Sequence, residues 1–365
     1  MTSTVIEIQP STHPATPEER AQRMTNPGFG HVFTDHMVVV PYQAGQGWGK
    51  GVLKAYGPIE MDPASSVLHY GQAIFEGFKA YKQPDGGIAC FRPEANARRF
   101  NTSAARLAMP ELPEALFLAA ARALITQDRA WVPGNLGESL YMRPLMIGTE
   151  AALGVRPSSE YLFLLMASPS GAYFPAGVKP VTVWISDDYV RAAPGGTGFA
   201  KCAGNYAASL VAQHQAKGEG CDQVVWLDAL ERNYIEEMGG MNIFFVYQEQ
   251  GETVVVTPEL TGTLLPGITR DSLLRLAREL GYRAEERKIT VDEWRAAVQE
   301  GRMTETFACG TAAVITPVGH AKSKRGEWLI NKGETGPVAA RLRETLLNLQ
   351  HGISPDTHGW MTKIV

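Results

Sequence analysis

Residues 195–206 read Gly195-Gly196-Thr197-Gly198-Phe199-Ala200-Lys201-Cys202-Ala203-Gly204-Asn205-Tyr206. Four glycines surround a single lysine in a small, apolar setting. Burial disfavours the ammonium form of a lysine, and a neutral amine is the nucleophile that imine chemistry needs. The plainer alternative is a loop lysine with its head in water, as most lysines have. Upstream, Val181–Ile185 reads as a strand. Downstream, Tyr206–Lys217 carries helical spacing and stops at Gly218, a candidate C′ residue. The stretch therefore joins a strand to a helix, in the second half of an α/β chain.

A length of 365 residues suits two domains. With 44% hydrophobic and 20% charged residues, the composition is that of a soluble globular protein with enough material for a core. A net charge of -4 argues against a broad cationic face for nucleic acid or anionic lipid. No apolar run approaches the roughly 20 residues of a membrane span. Met1–Arg20 lacks a signal-peptide core. A cytoplasmic protein with no membrane or nucleic-acid partner is expected. Cys90, Cys202, Cys221 and Cys309 match no zinc spacing and read as reduced thiols. Cys202 beside Lys201 has no histidine near it in sequence, so packing is its simpler role.

Outward from the lysine stretch, the chain divides into an N-terminal arm (1–30), a small α/β domain (31–172), an interdomain loop (173–180) and a large domain (181–365). Thr16-Pro17-Glu18-Glu19 is a capping box with proline at the first helical position. His31–Pro58 alternates apolar and polar residues and predicts strands joined at Gly45-Gln46-Gly47. Helices are expected from Pro93 to Leu107, with Phe100, Ala104 and Leu107 inward, and over Leu112–Ala130. Tyr161–Met166 is a continuous apolar run, a buried strand. In the second half, Gln223–Leu227 is a strand. Ile235–Val246 reads as strand, Gly239-Gly240 turn, strand. Thr269–Leu280 is a helix that Thr269 can cap.

Pyridoxal 5'-phosphate asks a protein for a lysine, an acid facing its ring nitrogen, donors for its phosphate and a dry cavity. Lys201 offers the amine. Glu237 lies inside an apolar strand-turn-strand, where a carboxylate is expensive unless a cation faces it. Its neighbour Glu236 competes, and alternation allows only one of the two to face inward. Gly267-Ile268-Thr269 opens a helix whose N–H groups favour an anion. Gly310-Thr311-Ala312-Ala313 is small enough for close backbone approach to one. Arg99, or Arg98 beside it, could pair with a phosphate bidentately.

This ordered set resembles the branched-chain amino acid aminotransferases, fold-type IV pyridoxal-phosphate enzymes of the class IV aminotransferase family. Further segments carry the likeness: Tyr70–Gly77, Tyr141-Met142-Arg143-Pro144, Leu153-Gly154-Val155, Glu237–Asn242 and Leu265–Arg270. The resemblance implies an α/β fold of α+β type with two domains, the second binding the cofactor, which lies in the interdomain cleft. It implies transamination of L-leucine, L-isoleucine and L-valine with 2-oxoglutarate by a homodimer whose other partners are amino acids and 2-oxo acids. Residue by residue, it makes Lys201 the imine-forming lysine and proton shuttle, Tyr206 the partner of the phenolic oxygen, and Glu237 the pyridinium ligand. Arg99, Ile268, Thr269 and Thr311 would bind the phosphate. Phe75, Tyr141, Tyr173 and Met241 would line the side-chain pocket, with Arg143 for the distal carboxylate of glutamate. The backbone at Ala312 and Ala313 would hold the α-carboxylate. Tyr70, Leu153 and Val155 would reach into the neighbouring subunit's pocket.

Two positions depart from mammalian relatives, which have threonine at Gly240 and a redox Cys-x-x-Cys pair at Ala313 and Thr316. No thiol switch of that kind is expected. One methylene is worth only about 1–3 kcal/mol in a pocket, so the three branched-chain substrates are not ranked by sequence. Competing readings are a fold-type IV enzyme for D- or aromatic amino acids, a non-enzymatic scaffold, and a dinucleotide enzyme. Gly195-Gly196-Thr197-Gly198 lacks the Gly-x-Gly-x-x-Gly spacing the last requires.

Overall fold

In the computed structural model, which describes residues 5–171 and 179–365, the chain forms two compact units. The first is built on a sheet in the order Ile6–Ile8, Gly51–Ala55, His36–Gln43, Glu160–Ser170, Ser139–Gly148, Phe78–Lys82, Ile88–Phe91, Met361–Lys363. Gly47–Trp48 pairs with His36–Gln43 and Ala73–Phe75 with Ser139–Gly148. Pairing is antiparallel except at the Ile6–Ile8 edge. The helices Pro93–Arg106 and Glu114–Gln127 bury Phe100, Ala104, Phe117 and Leu124 in one core with Phe78 and Phe163. Phe100 meets Phe163 edge-on at 5.8 Å, a favoured aromatic geometry. At the end of the second helix Asp128 accepts from His36, through its backbone N–H at 3.0 Å and its ring Nδ1 at 2.5 Å.

The second unit is a closed ring of strands. Ile235–Met238, Gln223–Leu227, Val181–Ile185, Val314–Ser323, Met303–Gly310 and Met241–Glu249 pair in that order, and the last pairs back to the first. Glu252–Thr257 and Arg283–Glu286 extend it beyond Met241–Glu249. Closure removes the open edge between these six strands. An apolar cluster of this unit joins Val183, Val225, Ile243 and Phe245 of the strands with Trp294 of the helix Val291–Gln299. The helices Leu210–Gly218, Ile268–Glu279 and Val291–Gln299 accompany the ring.

Two segments count with the first unit although they lie far along the chain. Met361–Lys363 pairs antiparallel with Ile88–Phe91. Ala200–Gly204 is fastened there by an isolated bridge between Cys202 and Ile74.

The capping box forms as read: Thr16 Oγ1 accepts the Glu19 N–H and Glu19 accepts the Thr16 N–H. Three local readings change. The helix expected to be capped by Thr269 begins at Ile268 with Gly267 as N-cap, and no side chain caps it. The segment expected as one helix over Tyr206–Lys217 is two, Ala203–Ala207 and Leu210–Gly218. The Tyr206 carbonyl is taken by the Ser209 N–H and hydroxyl, a turn that interrupts the ladder. The left-handed residue after it is Gly220, φ +69°, not Gly218.

Candidate active site

Lys201 is held in the first unit by its backbone. Its N–H donates to Ser103 Oγ at 2.9 Å and its carbonyl accepts the Phe75 N–H at 3.0 Å. The ammonium nitrogen lies 4.9 Å from the centre of the Phe75 ring. On the same helix as Ser103, Arg99 makes a bidentate pair with Glu76, Nε to Oε1 at 2.7 Å and Nη2 to Oε2 at 2.9 Å. Both are buried, so the pair fixes the guanidinium in place. Arg98 is exposed beside Glu114, which settles the choice between the two arginines as to burial.

Phe75, Tyr141 and Arg143 form a second cluster in that unit. The Arg143 guanidinium lies over the Phe75 ring at 4.8 Å and the Tyr141 ring at 5.3 Å, and Nη2 donates to the Tyr141 hydroxyl at 3.0 Å. No carboxylate pairs with Arg143 among the described residues, and its Nε is buried without a partner. Gly77 makes room for the cluster: a Cβ there would overlap the Tyr141 hydroxyl. Phe29, from the N-terminal arm, packs edge-on against Tyr141 at 4.8 Å. Tyr70 donates to the Leu153 carbonyl, and Leu153 and Val155 are exposed, Val155 at 87%. Tyr173 lies outside the described residues.

In the second unit, Glu237 is 2% exposed. Arg191 Nε stands 2.7 Å from its Oε2. Its Oε1 accepts from the Leu265 N–H at 2.9 Å and Asn242 Nδ2 at 3.1 Å. Asn242 sits opposite Glu237 across the tight turn, which brings both side chains to one place. Arg191 also donates to the carbonyls of Gly198 and Thr263. Gly267 must lack a side chain, since a Cβ would overlap the Asn242 amide oxygen. The helix that follows presents Ile268 and Thr269 at its N-terminus, an anion-favouring end. Tyr206 packs over Gly240, where a Cβ would lie 3.4 Å from the ring. Thr311, Ala312 and Ala313 form the turn between two strands, with Val314 held at φ +64°. Met241 lies beside Gly310 and Thr316.

Alternation gave one inward acid; both Glu236 and Glu237 are buried, at 5% and 2%. Burial raises the Glu236 carboxyl, partly offset by its bond from Thr263. The four cysteines are buried and free, and desolvation pushes the Cys309 thiol well above its usual range. Arg191, Glu76, Ser103 and Asn242 are site residues that sequence reading missed. Asn242 lay within a quoted motif; Arg191 is distant in sequence and carried no local signal.

Residues 73–321 match the family model described as amino-transferase class IV. A branched-chain-amino-acid aminotransferase of Mycolicibacterium smegmatis is 58% identical over 358 residues, covering 98% of this chain and 97% of that protein. The solved branched-chain amino acid aminotransferase of Escherichia coli aligns with a TM-score of 0.73 at 29% identity, over 89% of this chain and 99% of that one. A branched-chain amino acid aminotransferase from T.th., complexed with N-(5'-phosphopyridoxyl)-L-glutamate, aligns with a TM-score of 0.69 at 31% identity, over 89% of this chain and 98% of that one.

Proposed function

From the premise that this chain belongs to the class IV amino-transferase family, we propose that it transaminates L-leucine, L-isoleucine and L-valine with 2-oxoglutarate. The products are the branched-chain 2-oxo acids and L-glutamate. The observation that carries this reading is the Arg143 cluster. One guanidinium, with no carboxylate paired to it among the described residues, stands on an aromatic wall. The wall suits an aliphatic side chain, and the guanidinium suits the distal carboxylate of glutamate in the other half-reaction.

The residues fit pyridoxal 5'-phosphate. A buried carboxylate with an arginine beside it and N–H donors from Asn242 and Leu265 suits a protonated ring nitrogen. Arg99, the Ile268–Thr269 backbone and Thr311 suit its phosphate, and Tyr206 its phenolic oxygen. When bound, the cofactor supplies the electron sink that makes the substrate Cα–H bond acidic. Lys201 would carry the proton taken from Cα, and its backbone is fixed by bonds to Ser103 and Phe75. Glu237, paired with Arg191, would face the ring nitrogen and favour its protonated form. Backbone N–H groups at Ala312 and Ala313 orient the α-carboxylate. Phe75 and Tyr141 would line the side-chain pocket, to which the family resemblance also assigns Met241 and Tyr173.

The exposed Leu153 and Val155, with Tyr70 anchoring their loop, support a homodimer in which this loop meets the partner subunit. Among the described residues no helix is long and apolar enough to cross a membrane, and we place the enzyme in the cytoplasm. The test is an absorbance spectrum of the purified holoenzyme. A visible cofactor band bleached by L-leucine and restored by 2-oxoglutarate is expected. A band indifferent to L-leucine but bleached by D-alanine would overturn the substrate assignment.

A further inference from the structure

Residues 15–35 of the N-terminal arm form a loop whose two ends are fastened together. The Ala15 N–H donates to Asp35 Oδ1 at 3.0 Å, and just before it the Ser11 N–H donates to His36 Nε2 at 2.8 Å. Both acceptors are gripped in turn at the end of the helix Glu114–Gln127. Asp128 accepts from the His36 ring Nδ1 and backbone N–H, and the buried Trp131 donates its indole N–H to Asp35 Oδ2 at 2.7 Å. Because His36 Nε2 accepts, the ring proton sits on Nδ1, facing Asp128.

The tip of the loop lands beside the strand that carries Tyr141. Pro27 is buried, and a Cβ on Gly171, just past the strand Glu160–Ser170, would lie 3.7 Å from its ring. Tyr141 sits opposite Ser168 of that strand. Phe29 is half-buried and edge-on to Tyr141 at 4.8 Å, and the Tyr141 hydroxyl accepts from Arg143. Between base and tip the loop has little grip of its own. Its helix, Pro17–Met24, has 8 residues and buries none of them, and so short a helix is marginal by itself in water. Ala15, Met24 and Val32 meet the core of this unit while only partly buried.

With little burial along the loop, the bonds at its base restrict where its tip can go. We propose that Asp35 and His36 are positioning residues for the substrate pocket: they lock the base of the loop 15–35, and the locked loop holds Phe29 against the Tyr141 ring. They touch no reacting atom and act through Phe29 alone. The effect on substrate rests on the pocket role given to Tyr141 and Arg143 above; the lock itself does not.

The experiment is a double-mutant cycle on the holoenzyme, read by steady-state kinetics and by limited trypsin digestion. Asp35→Ala unlocks the base from the core side. Ala15→Pro unlocks it from the arm side, removing one N–H and leaving the Trp131 bond to Asp35 in place. Phe29→Ala removes the tip contact, and should raise KM for L-leucine and 2-oxoglutarate about threefold, the worth of one aromatic edge contact. Each base variant should raise KM similarly, with kcat held within about twofold. Combined with Phe29→Ala, neither should raise it further, since residues acting through one contact are not additive. Trypsin should cut faster after Arg20 and Arg23, which lie in the loop helix, in both base variants. Unchanged cutting in both, or KM effects that add to that of Phe29→Ala, overturns the proposal. Faster cutting with an unchanged KM in Phe29→Ala would instead overturn the pocket reading on which the effect on substrate rests.

Discussion

Arg191→Met isolates what the buried ion pair contributes, because it keeps the apolar stem and removes the guanidinium. Glu237 would keep the Asn242 Nδ2 and Leu265 N–H donors but lose its cation. Breaking a buried pair from one side costs about 3–5 kcal/mol. An alternative caps the loss: the carboxylate takes up a proton instead. For an ordinary glutamate at pH 7 that costs about 4 kcal/mol, at about 1.4 kcal/mol per pH unit. The variant is therefore expected to be less stable by about 3–4 kcal/mol at pH 7. Its deficit should shrink as pH falls, since acid removes the orphaned charge in the variant and the paired charge in the parent. Glu237→Gln added to Arg191→Met removes the orphan and should recover most of the stability, because replacing both partners of a buried bond is close to neutral. It should recover no activity, because a neutral amide cannot hold a pyridinium. Denaturant unfolding followed by tryptophan fluorescence measures this directly: Trp226, fully buried, lies opposite Glu237 in the neighbouring strand. A deficit under about 1 kcal/mol at pH 7 would refute the reasoning. So would a double variant no more stable than the single one.

Lys201→Ala should abolish turnover and the imine band yet leave the circular dichroism spectrum unchanged, since the ties to Ser103 and Phe75 are backbone bonds; retained turnover would remove Lys201 from its role. Gly77→Ala drives a methyl into the Tyr141 hydroxyl, and KM for both L-leucine and L-glutamate should rise about tenfold as Arg143 loses its platform; steady-state kinetics decide. Glu305 accepts the N–H groups of Val338 and Ala339 at 2.9 Å each, over Gly336, where a Cβ would overlap its carboxylate. Glu305→Ala should cost about 2–3 kcal/mol as an uncapped helix start, and an unchanged denaturation midpoint would refute this. Glu150 is held down to about 2 by Arg156 and the Ser159 N–H, from an ordinary 4.5. Its folded value is depressed, so its stabilisation is full above pH 4.5 and fades as pH falls toward 2. Glu150→Gln should flatten the acid limb in that window; identical limbs would count against the pair ordering the Leu153–Val155 loop.

Much of the fold was legible because its signals are local. The capping box, the apolar run at Tyr161–Met166 and the turn at Gly239-Gly240 each contain their own explanation within a few residues. The two exchanged segments were not. A boundary drawn at a turn-rich stretch divides a chain into consecutive pieces, whereas Met361–Lys363 joins the first sheet through hydrogen bonds to Ile88–Phe91, in the first third of the chain. The candidate site shows the same division. Lys201 announced itself by its glycines. Arg191 and Glu76 did not, because what makes them matter is a carboxylate or guanidinium brought to them by tertiary folding.

The pair Glu236–Glu237 shows where a sound rule stops short. Alternation places neighbouring residues on opposite faces, and that holds here. The further step, that one face is wet, assumes a sheet covered on one side only. Ile235–Met238 is a strand of a closed ring, with all four residues buried. Both faces are then covered, and each acid is met on its own side: Glu237 by Arg191, Asn242 and the Leu265 N–H, Glu236 by the Thr263 hydroxyl. Burial raises the Glu236 carboxyl, and against it the Thr263 bond and the charge of Arg191 lower it, so one guanidinium serves both acids of the strand.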